Sequence, residues 1–316
     1  MKRSLPILFI FLAVIIFPFV LPQSYQSYGL MVLTFVGIYV IILMGLDLIL
    51  GYCGQIAMGH NGFFALGAYS TAILSQRTNL PHILIIVLGI LSTCSVAYVI
   101  GVPTLRLRGF YLALATLAFG SVVYSLLVGY SELTGGYTGI RNILPFTIGG
   151  YSFDTDVKNF YLIWLVAILA LLLTLNIANS RIGRTLKAVQ ENEVTAGTLM
   201  INVNRTKIRV FVLSSAYASL AGSLYAHYVG FICPSDFTLV ITVQLFLMLF
   251  IGGKGTIWGC LIGALFFKTL SEFTASAEQF ELALQGILFM LVLILMPDGL
   301  MGRARHIAEM RHAKAK

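Results

Sequence analysis

Four polar side chains occur within a short part of this chain that is otherwise mostly apolar. Asp47 supplies a carboxyl group, His60 an imidazole, and Gln55 and Asn61 two amides. An aspartate and a histidine could relay a proton, whereas amides offer hydrogen bonds to a polar solute. An ionisable residue within a membrane span is by default a functional hypothesis, although Asp47 could instead be a hydrogen-bonding or helix-orienting residue. This cluster therefore indicates transport rather than simple packing in lipid.

Glycines accompany these residues, and a second glycine cluster follows near the C-terminal end. The first cluster contains Gly51, Gly54, Gly59, Gly62 and Gly67, and the second contains Gly252, Gly253, Gly255, Gly259 and Gly263. Each adjoins an apolar segment too short for a full crossing, 62–76 and 239–252. Close helix packing through small residues is the alternative explanation for each cluster. The repetition in both halves, together with the polar residues of the first, favours broken helices at a transport site.

The elements that carry these clusters are apolar enough to require lipid as their solvent. Hydrophobic residues make up 59% of the chain and charged residues 10%, whereas about a quarter of a typical soluble domain is charged. The continuous apolar runs predict an all-α polytopic protein rather than a β-barrel. We expect about ten transmembrane segments, at 5–22, 29–50, 62–76, 82–102, 110–129, 159–178, 210–231, 239–252, 256–272 and 280–297. The first of these resembles a signal peptide but lacks a cleavage site, so we interpret it as an uncleaved span.

The basic residues predict the orientation of these spans. Lys2 and Arg3 precede the first span, so we expect a cytoplasmic N-terminus and, after ten crossings, a cytoplasmic C-terminus. Most basic residues then fall on the cytoplasmic side, as they should: Lys2, Arg3, Arg106, Arg108, Arg181, Arg184, Lys187, Arg205, Lys207, Arg209, Lys254, Arg303, Arg305, Arg311, Lys314 and Lys316. This distribution explains the net charge of +8 without a nucleic-acid partner. We expect one transmembrane domain over 1–300, with an outer loop at 130–158, a cytoplasmic segment at 179–209 and a basic cytoplasmic tail at 301–316.

Neither metal binding nor catalysis is indicated by the sequence. The four cysteines form no CxxC pair, and the five histidines are dispersed. A membrane enzyme would need a cluster of His, Asp and Glu or a nucleophile with its base. The chain also lacks a GxxxxGK[ST] phosphate-binding loop, so any ATP hydrolysis must occur on another chain. We therefore expect no catalytic residue, no metal and no cofactor in this chain.

The cytoplasmic segment contains an amphipathic pattern over 182–200. If this stretch is one helix, an apolar stripe forms along one face from Ile182, Leu186, Val189, Ala196 and Met200. Glu193 falls on the same stripe, whereas Glu191 points to the opposite side. The pattern alone fits either a surface for a partner protein or a helix lying on anionic lipid.

Several longer stretches resemble a known family when they are taken together. They are "GYCGQIAMGHNGFFALGAY", "LRGFYLALATLAFG", "LTGGYTGI", "GRTLKAVQENEVTAGTLMINVNRTKIRVFVLSSAYASLAGSLYAHYVGFICPSDF" and "LFLMLFIGGKGTIWGCLIGALFF". In this order they resemble the LivM-type permease subunit of bacterial branched-chain (hydrophobic) amino acid ABC importers. The resemblance extends over nearly the whole chain from about residue 37 to 300.

The resemblance implies a multi-pass protein of the bacterial inner membrane that works in a complex. Its implied partners are a second permease subunit (LivH-like), two cytoplasmic ABC ATPases (LivG- and LivF-like) that bind ATP and Mg, and a periplasmic substrate-binding protein. The segment implied to dock on the ATPases contains Gly183, Arg184, Glu191, Asn192 and Glu193. The residues that we expect along the substrate path are Asp47, Gly51, Gln55, Gly59, His60, Asn61, Gly252, Gly253 and Gly255.

Three positions depart from the family pattern. Asp47 is usually Asn, Asn61 is usually Ala, and Met200 is usually Gly, so that Gly197 is the candidate for a helix break expected near residue 200. The first two departures make the expected path more polar, and they leave urea, amides or aromatic acids open as substrates. A proton-coupled secondary transporter built on Asp47 and His60 is a further alternative.

Overall fold

In this computed structural model the described residues are 18, 23–274, 283, 284, 286, 287, 290, 291, 294 and 299–301. The expected first span at 5–22 and last span at 280–297 lie outside these residues, apart from single positions. The same holds for the basic tail at 301–316. The described part is mainly α-helical, and its only β-sheet is one small hairpin.

Eleven α-helices follow one another in the described part of the chain. They are α1 Gln23–Asp47, α2 His60–Arg77, α3 His82–Thr104, α4 Phe110–Gly129, α5 Ser131–Thr134, α6 Asp156–Asn179, α7 Arg181–Glu191, α8 Glu193–Thr198, α9 Val203–Val229, α10 Leu239–Gly252 and α11 Ile257–Thr274. One turn of π-helix, Leu48–Tyr52, extends α1, and 3₁₀ turns cover Gly136–Thr138 and Pro234–Phe237. Strands β1 Thr147–Ile148 and β2 Tyr151–Ser152 form the antiparallel hairpin.

Five of these helices are long and apolar enough to cross a membrane. They are Ser27–Tyr52, His82–Thr104, Phe110–Gly129, Asp156–Asn179 and Val203–Val229. The bent pair formed by α10 and α11 gives at most a sixth span within the described residues. The all-α, multi-pass class is thereby confirmed. The count of ten spans and the cytoplasmic placement of both termini stay predictions.

Helices α2 and α9 lie in direct contact at the centre of the bundle. A Cβ atom at Gly67 would come within 2.2 Å of the Ser219 carbonyl oxygen, and one at Gly222 within 2.1 Å of the Phe64 carbonyl oxygen. Glycine therefore permits the two backbones to approach closely, as small residues do between membrane helices. Close helix packing therefore explains the glycine at position 67. Helix α3, in contrast to α2 and α9, exposes many of its apolar side chains.

Helices α10 and α11 form a sharp bend rather than two full crossings. The pair is bent by 118° across the break at 253–256. With 14 residues, α10 extends over about 21 Å, less than the roughly 30 Å of a bilayer core. Helix α11 then runs back beside α1. Near its end, the Glu272 carboxylate accepts a hydrogen bond from the Tyr28 hydroxyl, which lies near the start of α1.

The single helix predicted over 182–200 is wrong. It is divided at Asn192, whose side-chain oxygen accepts hydrogen bonds from the backbone N–H groups of Val194 and Thr195. Asparagine is among the best helix N-caps, so it starts a new helix instead of continuing the old one. Of the predicted stripe, Leu186, Val189 and Ala196 are buried against this chain, whereas Ile182 and Met200 are exposed.

Helix α8 ends in a way that the sequence did not predict. Gly197 lies inside the helix, and Met200 itself adopts a left-handed backbone conformation with φ of 60°. That conformation favours glycine and costs other residues roughly 1–2 kcal/mol. The break at residue 200 is therefore present although the residue is Met, and Gly197 does not supply it.

Candidate functional site

Helix α2 starts halfway along the bundle instead of at one of its ends. After the π-turn, residues 53–59 are non-helical and lead inward from the end of the bundle that carries α7 and α8. At that end, Gln55 Nε2 donates to Glu193 at 3.1 Å. Farther along, the Met58 N–H donates to Thr116 Oγ1 on α4 at 2.8 Å. Helix α2 then begins at His60 and runs towards the end that carries the β-hairpin.

Helix α10 starts at the same depth but runs in the opposite direction. The chain before it pairs with the loop that carries the β-hairpin, through Ile140 and Ile232, and it reaches the middle of the bundle at Phe237. There, Asn61 Nδ2 donates to the Phe237 carbonyl oxygen at 3.1 Å. The N-termini of two short helices that run in opposite directions therefore meet inside the bundle, an arrangement typical of transport sites.

His60 joins three helices at the start of α2. Its Nδ1 lies 3.2 Å from the Ala57 carbonyl oxygen, and its Nε2 lies 2.6 Å from Ser214 Oγ on α9. Ser214 Oγ in turn donates to the Gly45 carbonyl oxygen on α1 at 2.7 Å. His60 thus fixes the non-helical segment against α1 and α9.

Asp47 belongs to a different part of the site. Its Oδ1 accepts the Gly255 N–H at 2.6 Å, and its Oδ2 is buried without a partner among the described residues. A Cβ atom at Gly51 would lie 2.0 Å from Asp47 Oδ1, so this position requires glycine. Asp47 therefore fixes the α10–α11 break against α1. In the described part of the chain, no hydrogen bond joins it to His60.

The residues expected along the path consequently lie in three places. Asp47, Gly51, Gly252, Gly253 and Gly255 gather at the α10–α11 break. Gln55 lies at the α7–α8 end. Gly59, His60 and Asn61 lie at the start of α2, where a Cβ atom at Gly59 would come within 2.6 Å of the Thr116 carbonyl oxygen.

A cavity of about 350 Å³ lies where α2 and α10 begin. It is lined by Asn61, Gly120, Ser121, Tyr124, Ser125, Thr238, Leu239 and Val240. Gly120 is the eleventh of the 20 residues of α4, so the cavity is at the middle of that helix. Its rim residues Ser125, Leu239 and Val240 are exposed, and the cavity thus opens on the surface of the chain between α4 and α10. The sequence pattern indicated Asn61 but not the hydroxyl groups on α4.

Glu193 connects the α7–α8 segment to the interior of the bundle. Its carboxylate forms an ion pair with the Lys207 ammonium, accepts from Gln55 and lies 3.6 Å from Arg108 Nε. Partial burial by itself would raise the pKa of the Glu193 carboxyl, but Lys207 first, then Gln55 and Arg108, hold that pKa below its ordinary value. The Lys207 side chain is only 2% exposed, so Glu193 compensates a buried charge.

The other residues expected to dock on ATPases have different surroundings. A Cβ atom at Gly183 would lie 2.2 Å from the Ala178 carbonyl oxygen, which makes Gly183 a packing residue. Arg184 and Glu191 are exposed, and Asn192 caps α8. Sequence reasoning missed two further exposed apolar residues, Val194 and Leu199, which lie beside the exposed Met200 of the predicted stripe. Their position beside hydrophilic residues in a loop was the available signal.

Comparison with known proteins identifies one family. Residues 28–297 match the family described as branched-chain amino acid transport system / permease component. The chain is 28% identical to the high-affinity branched-chain amino acid transport system permease protein LivM of Salmonella typhimurium, over 100% of this chain and 79% of that protein. It is 30% identical to LivM of Escherichia coli, over 88% of this chain and 71% of that protein. It is 27% identical to the permease protein LivH of Salmonella typhimurium, over 84% of this chain and 91% of that protein. No solved structure matches the chain.

Proposed function

This chain belongs to the family of branched-chain amino acid transport permeases, and we propose that it is the LivM-type membrane subunit of an ATP-driven importer of branched-chain or other hydrophobic amino acids. The match over residues 28–297 carries the proposal. The bundle adds a physical reason, because two helices start halfway along it beside a cavity. The inner membrane is the proposed location, with both termini in the cytoplasm.

The proposed partner in the membrane is a second, LivH-like permease subunit. The chain is similar to relatives named LivM and to relatives named LivH, which supports a pair of related subunits. The cavity supports it independently, because it opens between α4 and α10 on the surface of this chain and its wall includes residues with hydroxyl groups. Lipid cannot satisfy polar groups at that depth. A second permease subunit that covers the opening would enclose the path.

The proposed contact with the ATPases is the α7–α8 segment. It offers the exposed charges of Arg184 and Glu191 together with the exposed apolar side chains of Val194 and Met200. Glu193 faces inward and would transmit movement of this segment to the loop at Gln55. ATP and Mg would bind to the two ATPases, and a periplasmic binding protein would deliver the substrate at the hairpin end.

A second candidate within the same family is an importer of urea, an amide or an aromatic acid. Asn61 and the hydroxyl-bearing residues Ser121, Tyr124 and Thr238 place several polar groups in a cavity wall that is otherwise apolar, which favours a substrate with hydrogen-bonding groups. The two candidates are distinguished by which labelled solute the assembled complex imports. The secondary-transporter alternative has less support, because Asp47 and His60 have separate partners.

The proposal is tested by purifying this chain in mild detergent after co-expression with neighbouring genes and identifying its partners by mass spectrometry. Co-purification of a second permease and two ATPases is the expected result. Recovery of this chain alone, with uptake that collapses when the proton gradient is dissipated at constant ATP, would replace the proposal with a secondary transporter.

A further inference from the structure

Another, smaller cavity lies at the end of the bundle that carries α7 and α8. Its volume is about 90 Å³, and it is lined by Val102, Leu105, Arg106, Asn204 and Ile208, between the end of α3 and the start of α9. We propose that this cavity binds the phosphate group of an anionic membrane phospholipid. The Arg106 guanidinium and the Asn204 amide contact the phosphate, and an acyl chain lies along α3. This inference goes beyond the transport function and does not depend on it.

The cavity forms where α3 and α9 stop packing against each other. Farther along the bundle, Thr93 Oγ1 on α3 donates to Ser219 Oγ on α9 at 3.0 Å. Near the end of α3, a Cβ atom at Gly101 would lie 3.0 Å from the Phe211 ring. Beyond this contact, α3 ends at Thr104 and α9 begins at Val203. The cavity is therefore level with the ends of two membrane spans, His82–Thr104 and Val203–Val229, which is the depth of lipid headgroups.

The polar side of the cavity is positively charged. Three exposed arginines near it, Arg106, Arg205 and Arg209, form no ion pair within the part of the chain that the structure describes. Residues 98–111 and 201–212 contain no acidic residue that could neutralise them. A guanidinium group presents a planar fork of N–H donors that matches a phosphate. Basic pockets between membrane helices are typical binding places for the headgroups of anionic lipids.

The other side of the cavity is apolar and continues along the surface of α3. Val102, Leu105 and Ile208 form this side. One turn before Val102, Tyr98 is 57% exposed, and Leu91 on the same face of α3 is 56% exposed. An acyl chain that contacts this face would extend directly from a phosphate held in the cavity. A soluble anion would gain nothing from the apolar surface, so the surroundings favour a lipid over free phosphate.

The size of the cavity also favours a ligand that enters only with its headgroup. Sites that enclose a whole small molecule have volumes of roughly 300 Å³ or more, whereas this cavity has about 90 Å³. Most of the ligand must therefore remain outside the cavity. Phe110 and Tyr111, which begin α4 a few residues after Arg106, are each 71% exposed. Exposed aromatic residues at this depth are typical of the membrane interface, which places the cavity beside lipid.

The charge contact is tested with Arg106→Gln in the purified full chain, with Arg181→Gln as the matched control. Arg181 is also an exposed arginine at this end of the bundle, but it begins α7 and does not line the cavity. The measurement is a titration with phosphatidylglycerol in detergent, with bound lipid counted by native mass spectrometry. We expect at least about fivefold weaker binding for Arg106→Gln, because one basic residue beside an anionic lipid is lost. Arg181→Gln should bind like the unmodified chain.

The cavity itself is tested with Asn204→Phe. Asn204 is exposed, so the larger side chain can be accommodated without disturbing the bundle, and it fills the space beside Arg106. This variant keeps every arginine, so general attraction of anionic lipid to a basic surface is unchanged. We expect it to bind phosphatidylglycerol at least about fivefold more weakly than the unmodified chain. Phosphatidylcholine with the same acyl chains should bind weakly to all variants, because its headgroup has no net charge.

The outcomes distinguish a lipid from other ligands of the same surface. Weaker binding of phosphatidylglycerol in both Arg106→Gln and Asn204→Phe supports the lipid site, and unchanged binding in both overturns it. Displacement of the bound lipid by inorganic phosphate would assign the cavity to a soluble anion and also overturn the proposal. Intact lipid binding in Arg106→Gln with loss of ATPase co-purification would assign this surface to the ATPases instead. Because the titration needs neither ATP nor a partner, its failure leaves the proposed transport function intact.

Discussion

The ion pair between Glu193 and Lys207 predicts a large cost for neutralising Glu193. The Lys207 side chain is 2% exposed and the Glu193 side chain 23% exposed. Removing one member of a buried ion pair typically lowers the free energy of unfolding by about 3–5 kcal/mol. Because Glu193 is partly exposed, we expect a decrease at the lower end, about 3 kcal/mol, for Glu193→Gln. Arg108, with its side chain 75% exposed, adds less than about 1 kcal/mol. The cost therefore arises mainly from the uncompensated Lys207 ammonium.

The assay is thermal unfolding of the purified chain in detergent, with Glu191→Gln as the control. Glu191 is exposed on the neighbouring helix, so its substitution should change stability by less than about 0.5 kcal/mol. Glu193→Gln should lower the Tm by about 5 °C or more. The double variant Glu193→Gln with Lys207→Met should recover much of the loss, because it removes both charges. Equal Tm values for the two single variants would refute the reasoning.

The pH dependence has a definite sign. The folded-state pKa of Glu193 is lowered. Its ion pair therefore contributes fully to the free energy of unfolding above the unfolded-state pKa of about 4.3. It is lost as the pH falls through the folded value. The Tm difference between the unmodified chain and Glu193→Gln should therefore be constant from about pH 6 to 8 and shrink below about pH 4.

Three further predictions concern the backbone and the buried carboxylate. Met200→Gly should raise the free energy of unfolding by about 1 kcal/mol, since glycine accepts the φ of 60° without strain. The same substitution should weaken co-purification of the ATPases, because the Met200 side chain is 97% exposed on the proposed docking segment. Gly67→Ala should lower the yield of folded protein, because its Cβ atom would meet the Ser219 backbone. Gly197→Ala should leave the yield unchanged, because no atom lies within 4 Å of the added Cβ. The yield of each variant is measured by size-exclusion chromatography. Asp47→Asn should retain ATP-driven uptake, because an amide oxygen can still accept the Gly255 N–H; loss of uptake with normal assembly would favour proton coupling.

The sequence predicted most of the helices but not how they meet. Apolar runs gave 82–102 and 110–129, which correspond to helices His82–Thr104 and Phe110–Gly129, because lipid exposure constrains composition along a whole span. Glycine and polar residues correctly indicated short helices near His60 and Leu239. The meeting of their N-termini depends on a hydrogen bond between Asn61 and Phe237, 176 residues apart. No local pattern encodes such a contact.

The segment at 179–209 was harder to predict because periodicity alone was misleading. The apolar spacing over 182–200 fits one helix, yet the Asn192 side chain forms better hydrogen bonds as a cap than as part of a helix. The stripe that should face a partner is therefore largely buried against this chain. Glu193 likewise faces inward because Lys207, which is distant in the pattern but adjacent in space, needs a counter-ion.

The central claim is that this chain forms the membrane path of an ATP-driven importer. The most direct test is uptake of labelled leucine into proteoliposomes that contain the complex with its co-purified ATPases and binding protein. We expect uptake that requires ATP and Mg on the ATPase side and continues when an ionophore dissipates the proton gradient. Uptake that persists without ATP and disappears with the gradient would contradict it.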